Sequence, residues 1–142
     1  MNKFMKLAVS EAKKSGDDVP VGAVIVKDNE VIAAAHNRKE ELNDVTAHAE
    51  ILAIKEASQR LNNWRLDGAK LFVTLEPCPM CASAIINSRI SEVYFGASDN
   101  LYGALGGAID LRKIFNSKML VKGGILEEEC SKLLKDFWRK NG

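Results

Sequence analysis

The sequence predicts an α/β domain, a three-layer α/β/α sandwich around a mixed five-stranded sheet. Three observations predict it. Two short apolar runs flank an Asp28-Asn29 turn, the pattern of a β-hairpin. A strand, a helix and a strand then follow within residues 71–95, a βαβ crossover that demands parallel pairing. Amphipathic segments open and close the chain, so helices are available to cover the sheet.

The first helix rests on Phe4, Leu7, Ala8 and Ala12, apolar at helical spacing, with Gly16 as its stop. Residues 21–26 and 31–35 are the hairpin strands. Residues 37–45 are polar and read as a loop. Thr46 is placed to cap a helix carrying Ile51, Leu52, Ile54 and Leu61, which Asn62-Asn63 terminates. Residues 71–75 are a strand by length and residue type. Pro77 sits at a helix start, and Ala82, Ile85 and Ile86 continue that helix. Residues 93–95 are the next strand. A loop with Gly103, Gly106 and Gly107 leads to a short helix at 109–114 and a fifth strand at 119–121. No Lys-Ser/Thr follows those glycines, so they read as a close-packed loop and not as a phosphate cradle. A helix over 126–140 closes the chain, with Leu133, Leu134 and Phe137 on one side. No linker or repeat divides the sequence, so residues 1–142 read as one domain.

Composition bounds the function loosely. The 20 basic and 19 acidic residues leave a formal net charge of +1, which neither calls for a nucleic-acid partner nor excludes one. Three cysteines with one close pair do not make a secreted disulfide framework. Charges interrupt the opening stretch, and no window reaches the length of a membrane span. The expectation is a cytoplasmic protein with no signal peptide and no membrane contact.

The chemistry concentrates in two segments, Thr46-Ala47-His48-Ala49-Glu50 and Glu76-Pro77-Cys78-Pro79-Met80-Cys81. Cys78 and Cys81 are three apart and share one helix face. At a helix start, the dipole and free amides favour thiolate over thiol. Two thiolates and one imidazole suit zinc, and three protein ligands leave a fourth position for water. Mid-helix, Glu50 would point about 200° away from His48. At the first turn both can lean over the helix end, so Glu50 reaches the water without being a ligand. Taken alone, Cys-x-x-Cys also fits a redox pair or half of a structural zinc site. Cys130 reads as an inert core thiol, and His36 as a strand-end residue.

His48-x-Glu50 followed by Pro77-Cys78-x-x-Cys81 resembles the signature of the cytidine deaminase-like zinc enzymes. Further matching stretches are Val19-Pro20-Val21-Gly22-Ala23-Val24, His36-Asn37-Arg38, Trp64-Arg65-Leu66, Asn87-Ser88-Arg89-Ile90 and Phe137-Trp138-Arg139. With these, the chain looks like the bacterial tRNA-specific adenosine deaminases over residues 19–139. The resemblance implies a cytidine deaminase-like fold and one Zn2+ per subunit, held by His48, Cys78 and Cys81. It implies hydrolysis of the wobble adenosine of a tRNA anticodon stem-loop to inosine, with Glu50 as the proton shuttle. It places Asn37 and the Ala49 main chain beside the adenine, and Asp99 near the sugar of a flanking nucleotide. It assigns Phe137, Trp138 and Arg139 to the anticodon loop, and it implies a homodimer.

The chain departs from the resemblance at Gly107, where many relatives carry serine, and at Leu101-Tyr102, where they are more polar or basic. Two rival functions remain open at this point. A deaminase of free guanine or cytosine shares the metal site. A non-catalytic zinc module would bind RNA without turning it over, but would have no use for Glu50.

Overall fold

The computed structural model describes residues 2–141 of the chain. Its elements are α1 (Asn2–Ala12), β1 (Gly22–Lys27), β2 (Glu30–His36), α2 (Lys39–Leu42), α3 (Ala49–Leu61), β3 (Lys70–Leu75), α4 (Pro79–Asn87), β4 (Glu92–Ala97), α5 (Leu111–Ile114), β5 (Leu120–Lys122) and α6 (Glu127–Asn141). Asp28 and Asn29 both take positive φ at the hairpin turn, the conformation that lets two strands turn back without splaying. The five strands run in the order β2-β1-β3-β4-β5. β1 is antiparallel to β2 and β3, whereas β3, β4 and β5 are mutually parallel, so the sheet is mixed as expected.

Strand alternation divides the core into two layers. Val24 and Val26 of β1 face Met5, Ala8 and Val9 of α1, together with Phe72, Tyr94 and Cys130. Ala23 and Ile25 face the other way, toward Ala49, Ala53 and Ala57 of α3 and Ala82 and Ile85 of α4. α1 lies very close on β1. A Cβ on Gly22 would fall 1.9 Å from the Ala8 carbonyl oxygen. α3 shows only alanines among its buried apolar residues, which lets it sit close to the strands beneath.

Two local expectations change. The 37–45 stretch is not all loop: one helical turn, α2, forms there and ends on Asn43 in the left-handed region. The Arg38–Glu41 ion pair spans that turn. Thr46 does not cap α3. Its amide and hydroxyl both bond Asp44, and His48 stands at the N-cap without a side-chain cap bond. The cap position is thereby given to a functional side chain.

Candidate active site

The starts of α3 and α4 come together at the C-terminal end of β3. His48 is the N-cap of α3, and Glu50 is that helix's second residue. Cys78 is the N-cap of α4, Pro79 fills its first turn, and Cys81 follows one turn on. Extended backbone at His48 and Cys78 aims both side chains past the helix ends, toward each other.

His48 Nδ1 lies 3.8 Å from Cys78 Sγ and 3.5 Å from Cys81 Sγ. The three donor atoms all fall within 4.8 Å of one another, the one such cluster among the described residues. Tetrahedral zinc ligation, with Zn–S near 2.3 Å and Zn–N near 2.0 Å, puts S and N about 3.5 Å apart. The donor set therefore fits zinc in both type and spacing. Glu50 is not part of the cluster. Its carboxylate stands beside the donors and outside them.

The electrostatics agree with that division. A hydrogen bond from Cys81, with a further one from His48, lowers the Cys78 thiol to about 4, so it is a thiolate. The same Cys78–Cys81 bond, together with burial, raises Cys81. Its bond to Cys78 also raises His48. Glu50 is 4% exposed, and burial pushes its carboxyl up to about 7. A divalent cation alongside would draw it back down. In either case a buried carboxyl poised to trade protons sits next to the metal donors.

These groups open on a cavity of about 620 Å³ lined by His48, Glu50, Cys78, Asn37, Asp99 and Trp138. That volume is in the range of small-molecule sites. The resemblance had assigned all six of these lining residues a role. Ala49 is fully buried behind them. Its N–H donates to Asn37 Oδ1 at 2.8 Å, while Asn37 Nδ2 donates to the Val19 carbonyl at 2.9 Å. Asn37 thus ties three segments together, and keeps one N–H and one lone pair for anything in the cavity. Phe137 and Arg139 do not line it. Phe137 packs edge-to-face on Trp138 with ring centroids 5.1 Å apart, and Arg139 is exposed 3.6 Å from Asp136.

Lys39, one of the local basic residues open to RNA, also lines the cavity, and three more lining residues carry no functional role in the sequence reading: Glu76, Tyr102 and Leu134. Tyr102 had registered only as a departure. Glu76 belongs to the Glu76–Cys81 segment, and its only signal in the sequence is its place next to Pro77-Cys78. His36 is bonded to Glu11 at 3.0 Å and ties β2 to α1, away from the metal donors. Cys130 is buried in the opposite layer, where burial raises its thiol to about 11.

Residues 1–97 match the model of the cytidine and deoxycytidylate deaminase zinc-binding region. The chain belongs to this deaminase family. Its membership makes the three-donor cluster a zinc centre and the protein a zinc-dependent hydrolytic deaminase. This deaminase is 48% identical over 141 residues to the tRNA-specific adenosine deaminase of Bacillus subtilis, covering 96% of its own length and 88% of the relative's. It superposes with a TM-score of 0.86 on a solved structure from work on A-to-I editing by tRNA:A34 deaminases, at 46% identity, covering 94% of this chain and all of that one. A guanine deaminase from Bacillus subtilis is also similar, at 42% identity. That match covers only 68% of this chain and 63% of the other, with a TM-score of 0.66. Among the described residues of the deaminase, no helix is long and apolar enough to cross a membrane.

Proposed function

We propose that this deaminase converts the wobble adenosine of a tRNA anticodon stem-loop to inosine by hydrolysis. One observation carries the chemistry: three metal donors meet at a cavity wall with the buried, non-ligating Glu50 carboxylate beside them. The near-full-length similarity to tRNA-specific adenosine deaminases supports the substrate, against the partial match to guanine deaminase.

Zinc held by His48, Cys78 and Cys81 supplies Lewis acidity that makes water a nucleophile near neutral pH. Glu50 takes a proton from the water and delivers it to N1 of the adenine. It then carries the proton of the new C6 hydroxyl to the departing amine. Water adds at C6, the C6–N bond breaks, and ammonia leaves, so atoms and charge balance. Asn37 offers its remaining N–H and lone pair to the base edge. Trp138 gives a partly exposed ring on which an unpaired base can stack. Asp99 and Lys39 line the cavity where ribose hydroxyls and phosphate oxygens would pass. Phe137 acts through Trp138, and Arg139 is left for contact with the loop backbone. A single base flipped from its loop needs no broad basic face, in keeping with the small net charge.

The same reading has residues 1–142 acting as one deaminase domain in the cytoplasm, where tRNA is. It has two copies forming a homodimer, for which the exposed apolar side chains Ile109, Ile114, Phe115 and Leu120 supply contact surface. The test measures inosine at the wobble position of an anticodon stem-loop, against ammonia released from guanine, cytosine and free adenosine. Turnover of the stem-loop alone is the expected result. Turnover of a free base without the stem-loop would overturn the RNA substrate. Absence of any turnover by zinc-loaded protein would leave a binding module.

A further inference from the structure

Glu76 has no part in ligating metal or moving protons, yet it is one of the most enclosed charged side chains in the molecule, at 3% exposed. It sits between the end of β3 and the Pro77-Cys78 pair that starts the metal segment. Its carboxylate is the acceptor for three backbone N–H groups of one loop. Asp99 donates to Oε1 at 3.0 Å, while Leu105 and Gly107 donate to Oε2 at 3.1 and 2.7 Å. The main chain adds a fourth tie, from Ala104 N–H to the Pro77 carbonyl at 2.9 Å.

The loop is shaped around this carboxylate. A Cβ on Gly103 would fall 2.4 Å from Glu76 Cδ, and one on Gly107 would fall 2.6 Å from Oε1 and 2.2 Å from the Asp99 carbonyl. Neither glycine has positive φ, so lack of room for a side chain is what demands them. Asp99 in turn accepts the amides of Leu101 and Tyr102 on its own Oδ1, each at 3.0 Å. The chain of bonds runs from Glu76 through Asp99 to Tyr102. Both Asp99 and Tyr102 line the cavity.

We propose that Glu76 is a positioning residue for substrate: its carboxylate clamps loop 98–107 onto the metal-ligand segment, and so fixes the wall that Asp99 and Tyr102 present to the RNA. This rests on the wobble-adenosine reading for the identity of the substrate, although the clamp itself does not. A carboxylate is acceptor-only and matches three converging donors. Glutamine has the same shape but must turn an NH2 toward one of them. Freeing the wall weakens ground state and transition state alike, so it raises KM and spares kcat.

The experiment compares wild type, Glu76→Gln and Gly107→Ala, each loaded with zinc. It reads kcat and KM on an anticodon stem-loop, zinc per chain, and amide hydrogen exchange across residues 98–107. For Glu76→Gln the expected result is full zinc content and a KM raised about tenfold, the scale of one charge-assisted hydrogen bond. kcat should stay within about threefold of wild type. Exchange should quicken at Asp99, Leu105 and Gly107 while β1 and β3 stay protected. Gly107→Ala pushes the loop off Glu76 without substituting any of residues 76–81, and should reproduce the pattern if Glu76→Gln fails to fold. Unchanged KM and exchange would overturn the clamp. Loss of zinc would overturn it too, by making Glu76 a support of the ligands. A fall in kcat at constant KM would assign it to the chemical step. If wild type makes no inosine from the stem-loop, the wobble reading fails, and the exchange data still decide the clamp.

Discussion

Glu50→Ala removes the carboxylate next to the metal donors and leaves all three donors in place. The expected result is wild-type zinc content with turnover reduced roughly 100- to 10,000-fold, the usual worth of a positioned acid–base group. Metal analysis run beside single-turnover kinetics checks it. A variant that loses zinc would make Glu50 a ligand and end its role as proton carrier. The three metal donors were legible as residue types at short local offsets, because metal ligation constrains both, whereas Glu50 was read from its place two residues after His48. Asn37 was less legible. The role proposed for it beside the base rests on resemblance, and its amide bridge from Val19 to Ala49 depends on three segments meeting in space, which no local pattern encodes. Glu76 was opaque for the same reason, since its partners lie 23, 29 and 31 residues onward.

The two helices that start at the site give up capping for function, with His48 and Cys78 at N-caps that lack a side-chain bond. α5 shows the ordinary alternative. Asp110 caps it by accepting the Arg112 amide at 3.1 Å, and also pairs with the Arg112 guanidinium at 2.8 Å. That guanidinium holds the Asp110 carboxyl below its usual value. A depressed folded value adds stability above the unfolded pKa of about 3.9, and that stability is lost as pH falls through the folded value. Asp110→Ala should cost about 1 kcal/mol near neutral pH, as lost N-caps do. Asp110→Asn keeps a cap acceptor but loses the charge, so its deficit should shrink as pH drops below about 4. Urea midpoints at pH 7 and pH 3 measure both. A deficit for Asp110→Asn that is equal at the two pH values would remove the charge from the account. Helix periodicity could find α1, α3, α4 and α6 within a few residues. It could not find α2, a single turn of Lys39, Glu40, Glu41 and Leu42 with no buried residue to mark a face.

At the scale of the whole molecule, the hairpin and the crossover were readable because each is local, whereas the pairing of β1 with β3 joins strands more than forty residues apart and depends on both faces being covered. The metal centre is a contact of the same long-range kind. His48 and Cys78 are 30 residues apart, and they join the start of α3 to the start of α4. A ligand that binds only the folded arrangement stabilises it by mass action, by about 4 kcal/mol at a thousandfold excess over Kd. For a chain of this length that corresponds to roughly 10 °C in Tm. Chelation should therefore lower Tm by about that amount, and returning zinc should restore it. Cys78→Ala should melt near the chelated wild type and respond to neither treatment, because the centre no longer closes. Calorimetry of the two proteins, with chelator and with zinc, gives all four values. A wild-type Tm indifferent to both would show that the three donors do not hold the two helix starts together through a metal. A Cys78→Ala Tm that still rises with zinc would place the stabilising ion elsewhere in the chain.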